Sequence, residues 1–540
     1  MKDHFRQSMA WLHTWAGLVL GWLLFFIFVT GTAGYFDTEI DRWMQPELPA
    51  VGAPPAAGQV VGVALARLRE RAPAAERWFI SLPGERNDPY LRILWQNPKA
   101  ADGTRPAIGD EQLDSASGRP LDARATGGGQ FLYRLHWRLH YLPTAISEWI
   151  VGLATMFMLV AMITGIIVHK KIFTDFFTFR PGKGQRSWLD AHNVLSVVSL
   201  PFQLMITYSG LVFLAFTYMP LIVAAYYGPG EAGRQTFDTE LFDRGTPIER
   251  AGIPAPLAPL GPLLLEAQAR WGEARVRGVD IRHPGDANAR VLLRRVLDTP
   301  LRSEVLVFDG VSGALLEIQP AVPSTARAVH DVLLDLHEGL YAAPLLRALY
   351  VLSGLLGAAM VATGLVLWAI KRRQRVEKAG GVPHAGLRLV ERLNVGTVAG
   401  LPIGIAAYFW ANRLLPLEMA ERAAWEGHVL FIVWALMLGH AAWRPPVRAW
   451  SEQLWIAAGA FGLLPLLNAL TTGRHLAHSL PAADWVFAGF DLAMLGFGIV
   501  FALAAHRLAR GSVKDPCAAP HSPPSPPPPA LGPEAGGGRS

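Results

Sequence analysis

Apolar residues in this chain come in runs too long for a soluble core. A helix needs about 20 apolar residues to cross the hydrocarbon of a bilayer. Eight stretches supply them: roughly 11–35, 147–169, 191–225, 347–370, 393–412, 425–443, 453–471 and 485–506. Most carry no formal charge, with Asp491 the main exception. The third holds Pro201 and Pro220, so a kink or an extension past the bilayer is expected there. The first run is longer than the apolar core of a secretion signal and has no convincing cleavage site before Asp37. It reads as a retained helix.

The pattern changes over 36–146 and 226–346. Val60 to Arg71 and Leu263 to Trp271 have helical periodicity. Trp78 to Leu82, Tyr90 to Gln96, Val276 to Ile281, Ala289 to Val296 and Glu304 to Phe308 read as strands. Each segment closes on a similar turn, Asp114 to Gly118 in one and Asp309 to Gly313 in the other, with Gly supplying positive φ. The unit is helix, α+β module, helix, occurring twice in the same direction. Parallel repeats of this kind are related by an axis along the membrane normal.

The expected fold is therefore a predominantly α-helical polytopic membrane protein with about eight transmembrane helices and two extracytoplasmic α+β modules. Along the chain these are transmembrane helix 1 (1–35), the first module (36–146), helices 2 and 3 (147–225), the second module (226–346), helix 4 (347–375) and an additional four-helix membrane region (385–508). Residues 511–540 form a Pro-rich tail too poor in apolar residues to fold, and disorder is expected there.

Composition agrees. Of 540 residues, 51% are hydrophobic and 17% charged, which is too apolar for an ordinary soluble protein. Eighteen Trp suit two interfacial belts. A net charge of +6 does not suggest nucleic acid, because the basic residues cluster in short loops beside the spans. The clusters are Lys2 and Arg6; Lys170, Lys171, Arg180, Lys183 and Arg186; Lys371, Arg372, Arg373, Arg375 and Lys378; Arg444 and Arg448; Arg507 and Arg510. With eight spans all five fall on one side, which makes both termini cytoplasmic and the modules extracytoplasmic. The single cysteine, Cys517, excludes a disulfide framework, a Cys-ligated zinc or iron–sulfur site and covalent haem attachment.

Histidine is rare in spanning segments, and where it recurs the default reading is a ligand or a proton path. His13 is followed 17 residues later by Thr30-Gly31, and His192 17 residues later by Ser209-Gly210. A pseudo-twofold axis brings His13 and His192 to one depth, facing each other. The second pair is drawn from His136 or His140 and from His330 or His337, which precede helices 2 and 4. Their register is uneven. His337 lies 26 residues before Thr363, whereas His136 and His140 lie 28 and 24 before Thr164. Four helices with paired imidazoles near both faces suit two bis-histidine haems, necessarily b-type. The competing reading is histidines bonded to backbone or headgroups. His169, beside Lys170, could be a ligand, a propionate partner or an interface residue. His428 and His440 on helix 6 could form a third redox site, but no second helix carries matching histidines, so they read as structural or headgroup-bound, as do His475 and His478 in an outer loop. Asp491 either pairs with a polar neighbour or transfers protons.

The run Arg6-Gln7-Ser8-Met9-Ala10-Trp11-Leu12-His13-Thr14-Trp15-Ala16-Gly17-Leu18 resembles the start of PepSY-associated transmembrane-helix proteins. So do Phe131-Leu132-Tyr133-Arg134-Leu135-His136 and Leu189-Asp190-Ala191-His192-Asn193. The Asp-to-Gly turns resemble the end of that family's PepSY modules. The resemblance covers about residues 5–375; the helices of 385–508 look like those of longer members. It implies a multi-pass protein of the bacterial inner membrane, often linked to iron acquisition. Some members resemble siderophore-iron reductases with two haems in four core helices, and the likeness favours His136 with His337. The expected activity is transmembrane electron transfer to a ferric siderophore or other ferric chelate, with the haem iron held by His13, His192, His136 and His337. Trp137 and Tyr141 would line the exposed edge of the outer haem. No Gly-rich dinucleotide motif follows a strand in the cytoplasmic loops, so the electron donor is external, a quinol or a cytoplasmic reductase. The alternatives are a non-redox protein whose modules bind an envelope partner, and a transporter. Transport predicts broken helices with polar residues at the midplane.

Overall fold

A computed structural model describes residues 2–84, 86, 89–98, 106–169, 179–214, 217, 220–242, 248–272, 276–295, 304–319 and 325–513. Lys170, Lys171 and the Pro-rich tail from 514 onward lie outside the described residues, as does Val296.

Among the described residues, eight helices are long and apolar enough to span a bilayer, as the hydropathy pattern requires. The first four are α1 (Lys2–Gly34) and, further along the chain, Thr144–Val168, Gln185–Phe213 and Pro344–Lys378. Short elements lie between them. After α1 come α2 (Asp37–Met44), α3 (Ala57–Arg71) and the strands β1 (Arg77–Ser81), β2 (Leu91–Gln96) and β3 (Ile108–Leu113). Then follow α4 (Gly128–Trp137), the second span α5 (Thr144–Val168), the third span α6 (Gln185–Phe213) and α7 (Leu260–Trp271). The second module continues with β4 (Val276–Arg282), β5 (Arg290–Arg295), β6 (Val305–Asp309), β7 (Leu315–Gln319) and α8 (Thr325–Glu338), which leads into the fourth span, α9 (Pro344–Lys378).

The third span is shorter than the apolar run. It ends at Phe213, and Pro220 opens a separate helix, because proline is tolerated at a helix start but not in its interior. Pro201 does sit inside α6. The four spans close a ring: α1 packs on α5 and α9, and α6 packs on α5 and α9.

The two modules share one sheet. Its order is β3-β2-β1-β4-β5-β6-β7, antiparallel throughout, and the β1–β4 pair joins the halves with Ile80 opposite Val279 and Trp78 opposite Ile281. Alternate residues face a common core: Trp78, Ile80, Ile93, Val279, Ile281, Val291, Leu293, Leu306 and Phe308 are buried against α3 and α7. Each such side chain contributes about 1.5–3 kcal/mol on burial. Pairing β1 with β4 removes the two edges that separate modules would expose. The Asp turns close as expected. Asp114 Oδ1 accepts from Ser117 N at 2.7 Å and Asp309 Oδ1 from Ser312 N at 2.9 Å, with Gly118 and Gly313 at positive φ.

The remaining spans are Ala385–Leu414, broken at Ala399 into α10 (Ala385–Val398) and α11 (Gly400–Leu414); α12 (Arg422–Trp443); Pro446–Thr471, broken at Leu463 into α13 (Pro446–Gly462) and α14 (Leu464–Thr471); and α15 (Trp485–Val513). Pro402 and Pro465 lie just past the two breaks. A buried polar network fastens this block to the first module. Arg422 and Glu426, 1% and 0% exposed, pair at 2.6 Å. Glu426 also accepts from Thr126 Oγ1 at 2.6 Å, Gly127 N at 3.0 Å and Asn412 Nδ2 at 2.8 Å. Asp491 accepts from Trp43 Nε1 on α2 and Asn468 Nδ2, each at 3.0 Å. It has polar neighbours, and Arg413 stacks over the Trp43 ring at 3.8 Å.

Glu426→Ala leaves a buried guanidinium and three donors without their acceptor. The expected cost is about 3–5 kcal/mol, read as a lowered thermal midpoint in detergent. Asp110→Ala, which removes the exposed Arg92–Asp110 pair, leaves the midpoint unchanged.

Candidate functional site

Each span of the ring carries a Ser/Thr-Gly pair set against a histidine: Thr30-Gly31 on α1, Thr164-Gly165 on α5, Ser209-Gly210 on α6 and Thr363-Gly364 on α9. Each pair receives one imidazole from a neighbouring element. The hydroxyl bonds back to a carbonyl of its own helix: Thr30 to Ile27, Thr164 to Ala161, Ser209 to Ile206 and Thr363 to Met360. Three of these carbonyls also meet a histidine Nδ1. His136 bonds Ile27 O at 2.8 Å, His13 bonds Ala161 O at 2.8 Å and His192 bonds Met360 O at 2.9 Å. For His337 the Ser209 hydroxyl intervenes, at 2.8 Å.

The glycines make this approach possible. A Cβ on Gly165, Gly364 or Gly210 would stand 3.2, 3.1 or 3.1 Å from Cε1 of His13, His192 or His337. A Cβ on Gly31 would collide with the His136 ring. With Nδ1 bonded to an oxygen, each ring presents Nε2 to a second partner, the arrangement second-shell tethers impose on ligating histidines.

The imidazoles meet in two layers. His13 and His192 have ring centroids 6.3 Å apart at the end of the bundle away from the sheet. His136 and His337 have centroids 5.9 Å apart at the sheet end. From His13 to Gly31 is about 27 Å of helix at 1.5 Å per residue. With metal–imidazole bonds of about 2 Å, two imidazoles on one axis place their centroids about 6 Å apart. Both pairs meet that spacing. A cavity of about 530 Å³ lies beside the sheet-end pair, within the range of cofactor pockets. Its walls are largely apolar, from Leu24, Phe28, Val151 and Met158, and its rim is polar, from Arg86, Gln130, Tyr133 and Glu338. The sheet-end residues therefore suit a flat apolar cofactor whose metal His136 and His337 would ligate.

The rim is tightly bonded. Tyr133 donates to Glu338 at 2.6 Å, and Arg86 donates to Glu39 at 2.8 Å and Asp37 at 3.3 Å. Burial holds the Glu338 carboxyl above the usual carboxylate range, and burial followed by that carboxylate raises the Tyr133 phenol. None of these rim residues stands out in sequence. The fourfold Ser/Thr-Gly recurrence was the available signal for the glycine seats.

The geometry separates the histidines that sequence left open. His136, not His140, faces His337. His140 turns to the other side, with its ring 6.1 Å from His428 and 5.6 Å from Phe431. Tyr141 goes with it, bonding His428 Nδ1 at 2.8 Å, whereas Trp137 lines the sheet-end cavity. His330 bonds Asp331 at 3.1 Å and lies edge-on to Phe213. His169 bonds Asn193 at 2.7 Å, the residue after His192. His440 bonds Glu452 at 2.9 Å, and His475 and His478 have rings 4.4 Å apart.

A family model of PepSY-associated TM regions matches residues 10–371. That stretch holds the four-helix ring, the sheet and all four seated histidines. An uncharacterised protein of Pseudomonas aeruginosa is 25% identical over 383 residues, 67% of this chain and 91% of the relative.

Gly31→Ala forces the His136 ring from its seat. The expected penalty is about 1–3 kcal/mol, seen as a lowered thermal midpoint. Gly17→Ala is the control, since a Cβ there meets nothing within 4 Å, and its midpoint stays at or above wild type.

Proposed function

We propose that this chain, which belongs to the family of PepSY-associated transmembrane regions, is a b-type haem electron conduit that reduces a ferric chelate, such as a ferric siderophore, on the sheet side of a bacterial inner membrane. Both termini lie in the cytoplasm on this reading, because the five basic clusters share one side. The observation that carries it is the fourfold seating of imidazoles, which leaves two facing pairs at 6.3 and 5.9 Å.

His13 and His192 hold the inner haem, and His136 and His337 the outer one. Bound there, haem supplies one-electron exchange between ferric and ferrous iron. The protein's part is position and environment. The carbonyls of Ala161, Met360 and Ile27 and the Ser209 hydroxyl fix the Nδ1 side of each ring and so its tautomer. Apolar walls at the outer pair keep water off the ring faces, and the Tyr133, Glu338 and Arg86 rim marks the side facing the chelate. Loss of one positive charge on the chelated iron weakens its attraction to hard oxygen ligands, which releases it. Electron transfer of this kind requires no general acid or base.

In a ferrous-trapping assay on dithionite-reduced, desalted protein, wild type reduces an added ferric siderophore. His337→Ala and His136→Ala lose this activity, whereas His330→Ala and His140→Ala retain it. Equal activity in all four variants contradicts the assignment of the outer pair.

A further inference from the structure

The geometry points to a second site: a cleft between the core ring and the additional helices that takes the aromatic head of a lipid-soluble quinol, the donor for the outer histidine pair. The inference rests on the haem-conduit reading. The cleft has a volume of about 360 Å³ and lies between α1, the turn after α4 and α12. Trp22 and Phe26 form one wall, Phe431 and Trp434 the other, and His140 and Tyr141 close the sheet end.

Three features fit that ligand. The lining is aromatic, suited to edge and face contact with a quinol: Trp22, Phe26, Tyr141, Phe431 and Trp434 all border the space, with Phe26 packed on Trp434 at 5.6 Å and His140 on Phe431 at 5.6 Å. The polar groups gather at one end, where Tyr141 bonds His428 at 2.8 Å and the His140 ring lies 6.1 Å from that of His428. Burial, then His428, Arg138 and Arg134, hold the His140 imidazole below its usual range, which favours its neutral form. Finally, Tyr141 is 60% exposed on the bundle flank, beside exposed apolar residues such as Trp425 and Ile432 on α12, so a ligand enters from lipid.

The cleft is also close to the outer pair. His140 follows His136 by four residues, at most about 14 Å of extended chain. The opposite face of α1, with Leu24, Ile27 and Gly31, lines the outer cavity. One quinol gives up two electrons and two protons and becomes a quinone. The protons pass to the His140 and His428 imidazoles and then to the extracytoplasmic water. The two electrons would leave one at a time through the haem that His136 and His337 would hold, and two ferric chelates would become ferrous.

The test uses the full chain in detergent and a photoreactive azido analogue of decylubiquinone. Labelling of residues 139–142 or 425–434, blocked by excess decylubiquinone, is the expected result. Anaerobic decylubiquinol then reduces the bound haem, and His428→Phe or His140→Phe slows that reduction by about tenfold, the scale of one lost hydrogen bond to the ligand. Haem content and dithionite reduction stay unchanged. Labelling elsewhere, labelling displaced by phosphatidylglycerol but not by decylubiquinone, or unchanged quinol reduction in both variants overturns the site. The labelling arm needs no haem. A chain that takes the label in the cleft yet holds no haem sinks the conduit reading and leaves the quinone site standing.

Discussion

An imidazole seated on a glycine of the next helix is the contact on which the core of this protein depends. Lipid offers the ring no hydrogen-bonding partner, so a histidine at membrane depth must find one within the protein. Here the partner is a helix carbonyl already engaged by its own Ser or Thr, or that hydroxyl itself. The contact also spaces the helices. A side chain in place of Gly165 or Gly364 would push against His13 or His192, so ring closure and imidazole position are set together. Repeating the seat four times under an internal pseudosymmetry yields two facing pairs without any further positioning element.

The rest of the fold supports this frame from outside the bilayer. The shared sheet spans both repeats and so ties together the two segments that lead to His136 and His337. The short helices α4 and α8 end at those residues, and the spans α5 and α9 restart after brief turns. The additional four-helix block is anchored through α2 and the loop before α4, where the Glu426 and Asp491 carboxylates accept hydrogen bonds from buried or half-buried donors, among them Arg422, Thr126 and Trp43. Its α12 also walls the aromatic cleft beside His140. In this way a block unrelated to the internal repeat gains contact with the segment that carries an outer histidine.

Much of this was legible in the sequence, and the gaps have physical causes. Hydrophobic run length reports burial in lipid, so all eight spans were readable, and alternation exposed most of the strands. His13 and His192 were readable as equivalents because an unbroken helix separates each from its Ser/Thr-Gly pair, where residue count equals rise. The same count fails for His136 and His337, because non-helical turns at 138–143 and 339–343 intervene before α5 and α9. A count across a turn gives no distance, so the choice between His136 and His140 needed coordinates. The β1–β4 junction was equally hidden: alternation says that a strand is half-buried, not which strand lies beside it. Asp491 looked like an isolated charge because its partner Trp43 lies far away in sequence, on α2.

The central claim is that the two imidazole pairs each hold a haem. A dithionite-reduced minus oxidised absorption spectrum of the purified chain, with pyridine-haemochrome quantitation, tests it most directly. The account predicts a b-type spectrum and about two haems per chain. A haem-free protein after expression with ample haem supply would contradict it.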